Sequence, residues 1–292
     1  IMFKPTENLT ITGVVNADLM WQGDYYTEDT LWTTQDYISK AARNRIVNYN
    51  TYLTANYEVP MPKGHDLSIM VGGEYQNNRK YLRYQESWGA DQHFFDGLDT
   101  TTTYRNIDLS GKGEQIKFAS LFTRLKYILK DRYLFQFTYR SDGSSNFLDN
   151  NRYANFPAIG LGWILSEENF IKNIKPISYL KIKGSLGASG NAGIPWTRSQ
   201  DNFSGNGTNL TPTPELYNGQ FVRYQNSIGN PDLKWERNVT FDASLEVGLW
   251  KDRVFAEMTY FRMLTKGAFI DIALQASAGV PVALRSENIG VI

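Results

Sequence analysis

The chain has 292 residues, 30 basic and 30 acidic side chains, and no cysteine. The zero net charge gives little electrostatic support for nucleic-acid binding, and the lack of cysteine excludes a disulfide scaffold and a cysteine-ligated zinc site. Aromatic residues make up 14% of the chain although its mean hydropathy is negative, a combination typical of a wall with one apolar and one polar face.

Alternation of apolar and polar residues is the main pattern, and it predicts β-strands along the chain. The pattern begins at residues 9–21 and is clearest at 235–249. The runs exceed the usual globular strand of roughly 5–6 residues and match a tilted membrane-spanning strand of roughly 9–11. No stretch reaches the roughly 18 apolar residues that a membrane helix needs. In chain order, the predicted strands are 9–21, 47–57, 66–79, 115–128, 133–141, 153–165, 178–189, 235–249 and 254–264.

The connections between these strands alternate between short and long. Two short ones share the tripeptide Lys-Asp-Arg, at 130–132 and 251–253. Because outer-membrane barrels have short periplasmic turns and longer extracellular loops, we predict that the short connections face the periplasm. The short connections are 59–65, 129–132, 166–177 and 250–253, and the long ones are 22–43, 80–114, 141–152, 190–234 and about 265–285.

Aromatic residues lie at the ends of the predicted strands. Tyr127, Tyr133 and Trp163 lie near short turns, as does Trp250, and Trp21 lies at the opposite end of the first strand. Such positions are expected of the two interfacial girdles of a membrane barrel, while ordinary core packing is the alternative.

The predicted strands cannot close a barrel by themselves. About nine strands and the start of a tenth leave open edges, which are costly in lipid. The expected fold is therefore all-β, a partial antiparallel transmembrane β-barrel, in which residues 1–292 are a portion of a longer chain truncated at both ends.

A series of short motifs follows the middle and the end of the chain. The motifs are Arg140-Ser-Asp142-Gly143-Ser144-Ser145, Arg152-Tyr153, Phe156-Pro157-Ala158, Gly162-Trp163, Ser166–Phe170, Leu180-Lys181, Gly190-Asn191, Asn230–Arg237 with its Trp235, and Ser286–Gly290. One alone would be weak, but their order and spacing are specific. Together they strongly resemble the SusC/RagA family of TonB-dependent transporters.

The resemblance implies an architecture and a set of partners. Members of this family have a barrel of about 22 strands filled by an N-terminal plug. A segment before the plug binds TonB, and a SusD-like lipoprotein caps the outer mouth and captures a glycan or a peptide. They occur in the outer membrane of Bacteroidetes-type bacteria. The plug, the TonB-binding segment and the last strands have no counterpart in the 292 residues.

Some motif residues also have a direct physical interpretation. Residues 142–145 form a turn signal, since glycine, aspartate and serine favour turns. By parity, Arg140 is expected to face inward. Gly160 and Gly162 share the inward face of their strand, where missing side chains permit close backbone approach, for example by a plug.

A search for catalytic chemistry finds little. The two histidines, His65 and His93, lie in different predicted connections, and no metalloprotease, phosphate-loop or serine-hydrolase motif occurs. We therefore expect no enzyme activity, no catalytic residue and no cofactor. Calcium is the one metal considered, through acidic loop residues such as Asp91, Asp96 and Asp149, which lack EF-hand spacing.

Candidate substrate contacts are aromatic residues on the long loops, where flat rings can stack on the apolar faces of sugars. Loop packing, or contact with the lipoprotein, is the alternative. Two other functions remain open: a soluble carbohydrate-binding β-protein, for which no fixed repeat is found, and an outer-membrane barrel enzyme. The candidate contacts are Trp88, Phe94, Phe95, Trp196, Tyr217 and Tyr224.

Overall fold

A computed structural model describes residues 1–28, 38–88, 106–205, 216–217, 220–221, 223–280 and 284–292. These residues are almost entirely β-strand, with one four-residue helix, α1 (Asn169–Lys172). The strands are β1 (Met2–Thr6), β2 (Leu9–Glu28), β3 (Ile38–Val59), β4 (His65–Trp88), β5 (Asn106–Leu129), β6 (Tyr133–Ser144), β7 (Tyr153–Ile164), β8 (Ile177–Asn191), β9 (Asn202–Gly205), β10 (Leu216–Tyr217), β11 (Gln220–Phe221), β12 (Arg223–Ser227), β13 (Glu236–Leu249), β14 (Val254–Ala273) and β15 (Leu284–Val291).

Eleven of these strands form one antiparallel sheet in the order β1-β2-β3-β4-β5-β6-β7-β8-β13-β14-β15. Each strand pairs with its neighbour in the chain, except that β8 pairs with β13 across the segment that holds two small hairpins, β9 with β12 and β10 with β11. This up-and-down order confirms the predicted all-β antiparallel fold, and the described sheet is an open wall with β1 and β15 at its edges.

The strands differ from those predicted in several places. β14 ends at Ala273, inside the predicted connection of about 265–285, and the short strands β9 to β12 lie inside the predicted connection 190–234. The sequence did not predict β1, which has five residues and contains Pro5, a residue that weakens a strand signal. Strands β2 to β5 have 20 to 24 residues each and extend well into the predicted long connections 22–43 and 80–114. The alternation of apolar and polar residues is lost there because polar residues occupy both faces of these outer segments.

The register places all alternating positions on two distinct faces. On one, the apolar face, Leu53 pairs with Gly73 and Gly73 with Leu121. Leu53, Leu121 and Met258 on this face are 59%, 71% and 72% exposed, although they are large and apolar. The opposite face, the polar face, carries side chains such as Glu74 and Arg140. A sheet this apolar on an exposed side is suited to contact with lipid.

The turn after β5 has an unusual backbone. Lys130 and Asp131 have φ angles of 52° and 54°, in the left-handed region, and the Arg132 N–H donates to the Leu129 carbonyl at 3.1 Å. These are the features of a type I′ turn, whose twist matches that of the flanking strands. The second Lys-Asp-Arg turn also uses left-handed residues, at Trp250, Lys251 and Asp252.

Glu168, in the predicted periplasmic connection after β7, ties an aromatic pair to this end of the sheet. The Tyr133 hydroxyl and the Trp163 indole N–H donate to Glu168 Oε1 at 2.7 and 3.1 Å, and Arg132 donates to Oε2 at 3.0 Å. The Tyr133 and Trp163 rings stack with centroids 6.1 Å apart. The hydrogen bond from Tyr133, then that from Trp163, and the Arg132 charge lower the pKa of the Glu168 carboxyl.

We expect the Glu168→Gln variant of the full-length protein to unfold a few degrees lower than the wild type at pH 7 in detergent. Since the pKa of Glu168 is lower in the folded state, its stabilising effect is complete above the ordinary carboxyl value and is lost as pH falls through the folded value. The difference in unfolding temperature should therefore narrow as the pH falls below the ordinary carboxyl value. Glu167→Gln, which alters a more exposed pair with Lys172, is the control. A difference between wild type and Glu168→Gln that does not narrow at all between pH 7 and pH 3 would contradict the assignment.

Candidate functional site

A cleft of about 560 Å³ opens on the polar face where β4, β5 and β6 meet the connections that follow β6 and β8. Its polar lining combines carboxylates, amides and a guanidinium, and an indole ring closes one side. The charged, amide and aromatic side chains that line it include Glu74, Gln76, Glu114, Arg140, Asn191 and Trp235.

Arg140 holds the strands beneath this cleft together. Its Nη2 donates to Glu74 Oε2 on β4 at 2.8 Å and to Ser120 Oγ on β5 at 2.9 Å, and its Nε donates to Asp142 at 2.5 Å. The guanidinium carbon also lies 5.4 Å from the centroid of the Phe122 ring. The planar guanidinium can satisfy two carboxylates at once, which a lysine ammonium on a flexible stem does less well. Arg140 therefore lies on the polar face of the sheet, and its hydrogen bonds hold the side chains of Glu74, Ser120 and Asp142 in place.

A small hydrophobic cluster, here called the loop core, lies beside the cleft. It consists of Phe147 from the connection after β6, and Ala192, Ile194 and Leu233 from the connection after β8. Phe147 and Leu233 are each only 1% exposed. Burial this complete is rare in the rest of the described sheet, so the loop core is what orders these connections.

Trp235 joins the loop core to the strands. Its ring centroid lies 5.4 Å from that of Phe147 and 5.7 Å from that of Phe156 on β7. Its indole N–H donates to the Arg152 carbonyl at 3.0 Å. Phe156 in turn fills the space beside Gly190, where an added Cβ would overlap the ring. Trp235, Phe156 and Gly190, which belong to three separate sequence motifs, thus form one contact.

Two further motifs, 230–237 and 286–290, are also in contact. The Asn230 amide donates to the Ser286 carbonyl at 3.0 Å and to Glu287 Oε2 at 2.9 Å. Asn288 accepts from the Lys234 N–H and donates to the Lys234 carbonyl, both at 2.8 Å. Asn230 is 2% exposed, so these bonds lie away from water and hold the connection before β13 against β15.

The remaining motif residues divide between this region and other parts of the sheet. Gly143 leaves room for the ring of Tyr153, which an added Cβ would meet at 2.5 Å. Ser144 is buried, and Ser145 Oγ accepts from the Lys117 N–H at 2.9 Å, which secures the turn after β6. Pro157 and Trp163 lie on the apolar face, away from the cleft.

The aromatic residues proposed as substrate contacts are largely beyond what the structure describes. Phe94 and Phe95 lie outside the described residues, as do the candidate calcium ligands Asp91 and Asp96. Trp88, Trp196 and Tyr217 have a described backbone but no described side chain. Tyr224 is 38% exposed on β12. Their role in substrate binding stays a prediction.

Sequence reasoning missed most of the cleft. Glu74, Gln76 and Ser120 sit at the polar positions of predicted strands, and an ionisable residue in the middle of a membrane strand is the signal that could have singled out Glu74. Asn191 donates to Glu236 Oε2 at 2.5 Å and accepts from the Gly193 N–H at 2.9 Å. The bond to Glu236 depends on the pairing of β8 with β13, which the sequence does not show.

Among the described residues, no group of three or more histidine, cysteine or acidic side chains is placed to hold a metal ion. Asp149 pairs with Arg152 at 2.6 Å. No helix in the described ranges is long and apolar enough to cross a membrane.

Comparison with known proteins gives a consistent result. Residues 4–291 match the family model described as TonB dependent receptor-like, beta-barrel. A TonB-dependent receptor of Formosa agariphila is 31% identical over 246 residues, which cover 83% of this chain and 24% of that protein. The TonB-dependent receptor SusC of Bacteroides thetaiotaomicron is 31% identical over 233 residues, which cover 74% of this chain and 21% of that protein. The chain spans about a quarter of the length of the curated relatives it matches.

A solved structure of the RagAB peptide transporter has the same fold. It superimposes with a TM-score of 0.87 over 99% of this chain and 31% of that chain, at 23% sequence identity. At this identity the likeness concerns the fold alone.

Proposed function

We propose, because this chain belongs to the family of TonB-dependent receptor-like β-barrels, that residues 1–292 form a portion of the barrel wall of an energised nutrient importer. The observation that carries the proposal is the continuous division of the sheet into an exposed apolar face and a polar face with a cleft. Receptors of the SusC and RagA type are outer-membrane proteins, and the apolar face is the surface that such a location requires.

The polar face is the side along which cargo passes. Amide, hydroxyl and carboxylate groups of the cleft can exchange hydrogen bonds with the hydroxyl groups of a glycan or the amides of a peptide, and Trp235 offers an aromatic surface. A SusD-like lipoprotein at the outer mouth of the barrel would deliver the cargo to this face. TonB, acting through a plug, would supply the energy that opens the passage.

In this proposal, the residues of the barrel wall position the cargo and line its path, and they perform no covalent chemistry. The family consists of receptors and transporters, not enzymes. We propose no catalytic residue and no resident cofactor for this chain. A soluble carbohydrate-binding module is disfavoured, because large apolar residues such as Leu121 and Met258 would then stay exposed to water.

The proposal is tested by uptake in cells that carry the full-length gene. Deletion of the gene, or of TonB, is expected to abolish uptake of one labelled class of cargo from a panel of oligosaccharides and oligopeptides. Glu114→Trp, which places a bulky side chain at the cleft, should lower the uptake rate roughly tenfold, equivalent to about 1.4 kcal/mol. Glu7→Trp, the same change in the exposed turn after β1, should leave the rate unchanged. Equal uptake by deletion and wild-type cells across the whole panel would refute an importer.

A further inference from the structure

Positively charged residues collect on the apolar face at the outer ends of β3, β4 and β5. The register places Arg45 between Trp21 and Tyr81. Arg79 lies in line with Val47 and Leu19, and Arg43 lies beside Arg83. Lys117 occupies the same face of β5, opposite Asn77. The name arginine patch is used here for Arg43, Arg45, Arg79, Arg83 and Lys117.

The arginine patch has no described counter-charge. On the apolar face of β2 to β5, none of the described side chains is acidic, and none of the five cations is ion-paired with a described carboxylate. Arg43 Nη2 donates to the Tyr25 hydroxyl at 3.4 Å, and the four arginines share a cavity of about 730 Å³ with Trp21, Tyr25 and Tyr81. Such a concentration of one charge sign repels itself, so an anionic ligand that binds here is attracted by several cations at once.

The height of the arginine patch relates it to the membrane. Tyr127, beside the turn after β5, marks the aromatic girdle at the periplasmic end of the sheet. Lys117 lies ten residues from Tyr127, toward the outer end of β5. At roughly 3.3 Å per residue and a tilt of about 40°, this corresponds to roughly 25 Å, the height of the apolar band of an outer-membrane barrel. The arginine patch thus begins at the upper edge of the apolar band, and its four arginines lie above that edge.

The surface immediately below the arginine patch is apolar. Val15, Leu53 and Leu121 lie on the same face and are 74%, 59% and 71% exposed. A ligand that spans both regions must therefore combine anionic groups at the top with hydrocarbon chains beneath. A free anion would use only the upper part of this surface.

We propose that the arginine patch binds the phosphorylated headgroup of a glycolipid in the outer leaflet. Arginine forks bind phosphate oxygens in bidentate fashion, and Trp21, Tyr25 and Tyr81 offer rings to the sugars and to the membrane interface. The acyl chains lie against the leucine and valine residues below. The patch extends several residues above the band, which favours a bulky sugar headgroup over a simple phospholipid. This inference rests on the membrane location of the chain and is independent of the cargo.

The test uses the full-length protein purified in a mild non-ionic detergent and titrated with diphosphorylated lipid A in micelles. The midpoint of thermal unfolding is followed as a function of lipid concentration, since a ligand that binds only the folded state raises it. In the R43Q/R45Q/R79Q/R83Q variant, the half-saturating lipid concentration is expected to rise at least about tenfold, because each cation near a charged surface contributes appreciably. The matched control, K63Q/K130Q/K175Q/K251Q, removes the same charge from the opposite end and should titrate like the wild type.

The outcomes separate the possible ligands. Equal binding of lipid A with its phosphates removed, or equal titrations of the arginine variant and the wild type, would overturn the proposal. So would full competition by millimolar inorganic phosphate, which would assign the patch to free anions. The R43K/R45K/R79K/R83K variant keeps the charge and should bind with intermediate strength. Both variants are first checked for folding by the heat-dependent shift in gel mobility that folded barrels show.

Discussion

Replacing Phe147 with alanine is expected to release the connections beside the cleft while leaving the barrel folded. Phe147 is 1% exposed and contacts the rings of Trp235 and Phe269 at centroid distances of 5.4 and 6.4 Å. Loss of a buried phenylalanine costs about 3–5 kcal/mol. Phe147 meets the sheet at Phe269 of β14, but backbone pairing over long registers holds the strands together, so this cost falls on local unfolding of the loop core.

The measurement is cleavage of the full-length protein by an external protease. If the loop core opens before cleavage, a destabilisation of about 3 kcal/mol raises the cleavage rate by roughly two orders of magnitude. Cleavage should map to residues 145–152 or to the connection between β8 and β13. The heat-dependent gel shift should be retained.

Phe170→Ala supplies the control for this experiment. Phe170 lies in α1 at the opposite end of the sheet and is 63% exposed, so the same chemical change removes few contacts there. Its cleavage pattern should match that of the wild type. If Phe147→Ala resists protease as the wild type does, the loop core is not what orders these connections.

The strands were predictable from the sequence wherever one face must be apolar. Strands β6 and β7 and the strand β13 follow the alternation closely, because lipid contact on one side and polar groups on the other fix each residue's parity. The outer parts of β2 to β5 lie above the apolar band and carry residues such as Arg45 and Arg83 on the face that is apolar below. Hydrogen bonds between strands, and not lipid, maintain the sheet there, and such bonds leave no pattern in the sequence.

The site was less predictable than the fold because its contacts are distant in the chain. The motifs were recognisable one at a time, but nothing in the sequence shows that Asn230 bonds to Ser286 or that Trp235 packs on Phe156. The inward orientation expected for Arg140 needed only parity. Its partner Glu74 is 66 residues away, and the pairing requires the full register of β4, β5 and β6.

Replacement of Arg140 by methionine should destabilise the wall more than loss of a typical surface charge. Methionine keeps much of the side-chain length and its contact with Phe122, but it leaves Glu74 and Asp142 facing each other without a cation. The two carboxylate side chains are 25% and 16% exposed, so water screens them only in part. Removing one partner of a fully buried pair costs about 3–5 kcal/mol, and partial exposure reduces this to roughly 2–3 kcal/mol.

A triple change tests whether the carboxylates are the reason for this cost. In Arg140→Met/Glu74→Gln/Asp142→Asn, no unpaired charge remains, and we expect most of the lost stability in denaturant unfolding of the full-length protein to return. Arg140→Lys should fall between the two, since an ammonium group can neutralise one carboxylate well but cannot bond to Glu74, Ser120 and Asp142 together. If the triple variant is as unstable as Arg140→Met, the unpaired carboxylates are not the source of the loss. The stability would then come from the hydrogen bonds that the guanidinium makes across β4, β5 and β6, which methionine cannot replace in either variant.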